Sequence, residues 1–169
     1  DDKEASARLT KEAYDLARAT LGDDHPQTMR AQYDLAANLH ESGDADAAAN
    51  EIRAILQKRR QLSQTEPRQM SKLLARLGRL EAQQGHWHAA ASAFDAQRQI
   101  SKRFGDKILP GLTRSEQLRF LKGSDAGDYR RAIGMMWGQR NDSPIATTTL
   151  EWIINRKGIV QETLTQNER

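Results

Sequence analysis

Cysteine is absent from the chain. That excludes disulfides, thiolate metal sites and a cysteine nucleophile among these residues. It fits a reducing compartment, so a cytoplasmic location is expected. Aromatic residues are scarce, at 5%, and alternating runs of β-branched residues are missing, which disfavours strands and a thick β core. No apolar stretch approaches the roughly 20 residues of a membrane span, and no signal peptide opens the chain. No membrane partner is expected.

What is present favours helices. Alanine is abundant, apolar residues make up 37% and charged residues 29% of 169 positions. That suits one ordinary domain or a small repeat array, with helices packed in thin layers. The net charge of +3 is unevenly placed. The first stretch is acidic, with Asp1, Asp2, Glu4, Glu12, Asp15, Asp23 and Asp24 against Lys3, Arg8, Lys11 and Arg18. From Arg98 to Arg140 bases outnumber acids. A basic half can meet nucleic acid or an acidic partner. No nucleic-acid reading module accompanies the charge, so a solvated helix face is the expectation.

An internal period organises the first two thirds. Gly43 and Gly85 are 42 apart (85 − 43). The same offset joins Leu35 to Leu77, Ala36 to Gly78, Ala47 to Ala89, Ala48 to Ala90 and Ile52 to Phe94, while Pro26 and Pro67 are 41 apart. Each unit reads as two helices. The first begins at a proline, a good first-turn residue, and stops at the glycine. Small residues at Ala36, Gly78, Ala48 and Ala90 let paired helices approach where they cross. Leu35, Leu77, Ile52 and Phe94 fill the space between. Stepping back one period places Ser6, Thr10 and Ala13 on a lone second helix.

After Phe104 the period stops. "GDKILPGL" reads as a turn-rich connection, and Thr113 with Glu116 forms a capping box that opens a short helix. A second helix carries Tyr129, Ile133, Met136 and Trp137 as a stripe. A third has Ser143 as its cap and Pro144 in its first position. Leu150, Ile153, Ile154, Val160 and Leu164 lie on one of its sides, and Trp152 with Ile159 on another. Such a helix is expected to be covered from two directions.

Leu77-Gly78 followed by Gly85-x-Trp87-x-x-Ala90-x-x-x-Phe94, with the linker "LGDDHPQT" at Leu21–Thr28, resembles the tetratricopeptide repeat (TPR) in its kinesin-light-chain-like form. Ala45 departs from the pattern in place of an aromatic, and Gln97 in place of a small residue. The second departure suggests a pair that faces something other than a further repeat. The segment from Leu112 onward resembles the helical stretch preceding the caspase-like CHAT domain of bacterial TPR–CHAT proteins. Its most specific part is Asn155-Arg156-Lys157-Gly158-Ile159-Val160. The resemblance implies an all-α fold: a right-handed superhelix of one partial and two full helix pairs, capped by a three-helix segment. The divisions are a partial repeat at 1–22, repeats at 23–63 and 64–104, and a segment at 105–169 leading to a downstream domain. In that family the peptidase histidine and cysteine lie in the downstream domain.

No catalytic grouping is legible. Ser, His and Asp occur without a nucleophile elbow, no glycine-rich phosphate loop is present, and carboxylates are spread over solvated helices. No catalytic residue, metal or cofactor is expected. His86 and His88 could chelate only with further ligands, and read as surface residues beside Trp87. His25 reads as part of a structural turn, and His40 as a groove neighbour. Met135, Met136, Trp137 and Trp152 read as packing among the last three helices, the alternative being an exposed partner-binding patch.

The functional candidate is the concave face lined by the first helices of the pairs. Arg30, Tyr33, Asp34, Lys72, Arg76 and Arg79 are expected there. Mostly cationic, with one aromatic, they suit an extended acidic peptide or protein held by charge-assisted hydrogen bonds. The expectation is a protein-interaction module serving as recognition arm of a caspase-like peptidase, with contact to the CHAT domain. The alternative is a plain TPR scaffold, and nucleic-acid binding is disfavoured.

Overall fold

The computed structural model describes residues 2–63, 66–123 and 126–165, without the side chains at 2–4, 118, 121–123, 126, 128 and 156–165. Among the described residues the fold is all helical, with no strand. The order is α1 (Asp2–Leu21), α2 (Pro26–Glu41), α3 (Ala45–Gln61), α4 (Pro67–Gln83), α5 (Trp87–Ile108), a 3-10 turn (Leu109–Gly111), α6 (Arg114–Gly123), α7 (Ala126–Trp137) and α8 (Ser143–Thr165).

Local chemistry sets the boundaries. Pro26 and Pro67 open α2 and α4, where a missing N–H costs nothing. The α2 end is a two-bond C-terminal cap. Gly43 N–H donates to His40 O at 3.1 Å and Asp44 N–H to Leu39 O at 2.9 Å. The α4 end repeats it: Gly85 N–H to Ala82 O at 3.1 Å, His86 N–H to Glu81 O at 2.9 Å. Both glycines sit at positive φ, 94° and 77°, where a Cβ is strained. Asp44 then caps α3, its carboxylate accepting from Ala47 N–H at 2.9 Å. Three-residue connections between helices packed along their length make α2/α3 and α4/α5 antiparallel pairs.

The first five helices each pack on the next. One core cluster joins α2 to α5 and contains Ala36, Ala48, Ile52, Ile55, Leu73, Leu77 and Ala93. Gly78 lies where α4 meets α5: a Cβ built there would stand 2.7 Å from the Phe94 ring. The α1–α2 contact is more polar. Ser6 Oγ donates to Asn38 at 3.0 Å, and Thr28 Oγ1 to Ala17 O at 3.2 Å. Leu9 and Leu16 are left 60% and 65% exposed.

A second cluster, with Ala90, Phe94, Ala132, Met136, Ile145 and Trp152, joins α7 and α8 to the α4/α5 pair. Several expectations are corrected here. The stretch after Phe104 is a turn only in its second half: α5 runs on to Ile108, with Gly105 buried near Phe120 and still helical, before the 3-10 turn at Leu109–Gly111. Asp142 rather than Ser143 caps α8, accepting from Ile145 N–H at 3.2 Å, which moves Pro144 to the second position. Trp137 is exposed, because it follows Met136 at about 100° around the helix and Met136 takes the core position. On α8 the buried line is Ile145, Thr149 and Trp152, spaced four and three apart, and Leu150 and Ile154 face outward. Through residue 155 the helix is therefore covered on one side. The expectations for Ile159, Val160 and Leu164 fall outside the described side chains. Gln97, at 1% exposure, turns inward and donates to Ser71 Oγ on α4 at 3.1 Å, so its bulk stays within its own pair. No helix among the described residues is long and apolar enough to cross a membrane.

Candidate functional site

Where α2 and α4 begin and α3 ends, the three helices enclose a concavity of about 610 Å³. Its lining comprises Pro26, Met29, Arg30 and Tyr33 from α2, Ile55 and Arg59 from α3, and Gln69, Lys72 and Leu73 from α4. Met29, Ile55 and Leu73 are core residues, so the floor is apolar. Three cationic side chains surround it, and no Asp or Glu is in the lining.

Of the residues expected on the concave face, Arg30, Tyr33 and Lys72 line this space. Asp34 stands one turn from Arg30, pairing with its Nε at 3.3 Å; both side chains are well exposed, so the pair is weak. Arg76 lies behind Tyr33. Its guanidinium carbon is 5.1 Å from the ring centroid, and its Nη1 donates to the Tyr33 hydroxyl at 3.1 Å. The hydroxyl acts as acceptor in that bond, which leaves its own proton available to a ligand. Arg79 is half-buried on α4 and is not in the lining.

Arg59 was not anticipated. It sits four residues after Ile55, so helical spacing carries it onto the same inward face as Ile52 and Ile55. Its Nε is buried and finds no acceptor. A buried unsatisfied donor costs on the order of 1–3 kcal/mol. The signal was present in the sequence as a cation on an apolar stripe, masked by the run Lys58-Arg59-Arg60. Of its neighbours, Lys58 donates to the Asp23 carbonyl at 2.9 Å, and Arg60 lines a different space.

That second space, about 570 Å³, lies among α3, α4 and α5 and is lined by Arg53, Leu56, Arg60, Leu77, Glu81 and Ala93, among others. The Glu81 carboxylate, with the side chain 2% exposed, is held between Arg53 and His86, the latter at 3.1 Å. His88 reaches the opposite way, to Asp142 at 3.1 Å. The two histidines therefore serve different carboxylates. His25 caps α2, its Nδ1 accepting from Gln27 N–H at 3.2 Å, and His40 Nε2 is 2.9 Å from Gln83 Oε1 on α4. Among the described residues no three metal-ligating side chains converge.

At the α6 start the expected capping box is present. Glu116 accepts from Thr113 N–H at 2.8 Å and from its hydroxyl at 2.7 Å. The Thr113 hydroxyl bond, with the backbone bond, holds the Glu116 carboxyl below its usual range.

Comparison with known proteins gave no match to any family model, curated protein or solved structure.

Proposed function

We propose that the chain is a protein-interaction module whose α2–α3–α4 concavity holds an acidic peptide segment. The carrying observation is the lining itself: Arg30, Arg59 and Lys72 around an apolar floor, with no carboxylate among them. Hydrogen-bond donors dominate the walls, so an acceptor-rich anion is the complementary ligand, bound by charge-assisted hydrogen bonds.

The wider reading is a right-handed superhelix of kinesin-light-chain-like TPRs. Support comes from identical glycine caps one period apart, at Gly43 and Gly85. In this reading α6–α8 are the mount of a bacterial caspase-like CHAT peptidase domain, and the protein works in the cytoplasm. Leu150 and Ile154, 55% and 66% exposed on α8, would then face that domain. A partner seated between α2 and α4 biases the position of α8, and through it the peptidase. The chain itself carries no turnover.

The test is fluorescence anisotropy with a labelled Glu-rich peptide, its Gln-rich counterpart and an oligonucleotide duplex, at two salt concentrations. Selective binding of the Glu peptide supports the reading. Indifference to Glu against Gln, or preference for the duplex, overturns it. Peptidase turnover of any class by this chain would contradict the regulatory role.

A further inference from the structure

We infer that copies of this chain associate with one another, the outward face of α1 in one copy seating in the groove between α3 and α5 of the next. Neither surface shares a residue with the α2–α3–α4 concavity, so the inference stands apart from the acidic-peptide reading.

α3 and α5 both pack on α4 and hardly touch each other. About 570 Å³ of open space lies between them, with Leu56 and Leu77 at its base. The two walls differ. α3 contributes Arg53, Gln57, Arg60 and Gln61, which share one of its faces. α5 contributes Ala89, Ser92, Ala93 and Ala96, short side chains on one face that let a further helix come close. The acid in the lining, Glu81, is 2% exposed and already held by Arg53 and His86. Arg60 is exposed, and among the described residues its guanidinium has no partner. The complementary occupant is a helix with a bulky apolar face beside a carboxylate.

α1 is such a helix. Its bonds to α2 come from Ser6, Thr10 and Ala17. Outside that contact, Ala5, Leu9, Glu12, Ala13 and Leu16 are exposed and lie within about 100° of its circumference. The two leucines are 60% and 65% exposed, so the face lacks cover. They are seven residues apart, as Arg53 and Arg60 are, a span of about 10 Å in each helix. Glu12 falls between them. Its pair with Arg8, at 3.7 Å and well exposed, is weak and gives way readily to Arg60. The wider charge agrees: residues 1–24 hold seven acids and four bases, whereas the groove's accessible charge is positive. Helix face and groove are different surfaces, so the contact is head-to-tail and can extend from copy to copy.

Sedimentation velocity of the intact chain over a range of concentrations, at low and high salt, is the test. Mass should rise with concentration past the dimer, and less so at high salt. Arg60→Glu and Glu12→Arg, each placing like charges together, should weaken association on the order of tenfold, and the double variant should recover it. Leu9→Ser combined with Leu16→Ser should also weaken it on the order of tenfold, through lost apolar burial. A mixture of Arg60→Glu with the leucine variant should stop at the dimer, since one intact face and one intact groove remain. A monomer at every concentration overturns the inference. So does association that survives Arg60→Glu, or a double variant no better than its parts. If Arg60→Glu melts early, Glu12→Arg decides from the other surface: undiminished association there removes the pairing. Binding of the Glu-rich peptide should be unchanged by these substitutions, which keeps the two readings separable.

Discussion

Trp152 on α8 donates its indole N–H to Asp95 on α5 at 2.9 Å, while its ring meets Phe94 edge-on, centroids 6.5 Å apart. One side chain thus ties the last helix to the α4/α5 pair by both a polar and an apolar contact. Trp152→Phe keeps an aromatic ring but loses both the bond and the five-membered half of the indole. Asp95 retains Gln99 Nε2 at 2.7 Å, so the expected cost is about 1–3 kcal/mol, the lost bond plus a partial cavity. Trp152→Ala empties a 4%-exposed site and should cost about 3–5 kcal/mol. Urea denaturation of both variants checks the difference. Equal costs would show that the indole N–H, and not the ring, dominates.

Gly78 is held small by Phe94. An added methyl would lie 2.7 Å from a ring that is itself trapped against Trp152. Overpacking costs about 1–3 kcal/mol, against about 1 kcal/mol gained in helix propensity. Gly78→Ala is expected to destabilise by roughly 1 kcal/mol, read as a lowered denaturation midpoint. A stabilised variant would mean that α4 and α5 are less closely apposed than described.

Gly85 behaves differently, because a Cβ there meets nothing within 4 Å. Its cost is conformational. At φ 77°, Gly85→Ala should lose about 1–2 kcal/mol, and Gly85→Asn less, since Asn tolerates the left-handed region. Thermal melts of the two variants should rank in that order; the reverse order would discount the cap.

The α6 cap should respond to pH. Glu116 has a folded-state pKa depressed below its unfolded value of about 4.3. Its contribution is therefore full above the unfolded value and is lost as pH falls through the lower folded value. The stability gap between the native chain and Glu116→Gln should be present at pH 6 and shrink below about pH 4. A gap that widens in acid would reverse the assigned direction.

Helix positions in the first two thirds were legible because punctuation and period agreed. Proline opens α2 and α4, a left-handed glycine closes each, and the apolar stripe keeps one face. The C-terminal segment was less legible. α8 is apolar on two sides, and the sequence holds no local sign that Asp95 would draw Trp152 inward and leave Leu150 and Ile154 outside. Gly105 looked like a stop, yet a glycine ends a helix only where the chain turns left-handed, and here the α5 ladder continues. At the candidate site, Arg30, Tyr33 and Lys72 followed from their place on the first helices. Arg59 required knowing that the end of α3 closes the space between α2 and α4.

Backbone amide shifts of the labelled protein, followed by NMR as the Glu-rich peptide is added, test the central claim most directly. The account predicts saturable changes at Met29, Tyr33, Ile55, Arg59, Lys72 and Leu73, the concavity's own residues. Changes centred instead on Arg53, Leu56 and Ala93, which line the space beside α5, or no changes at saturating peptide, would contradict it.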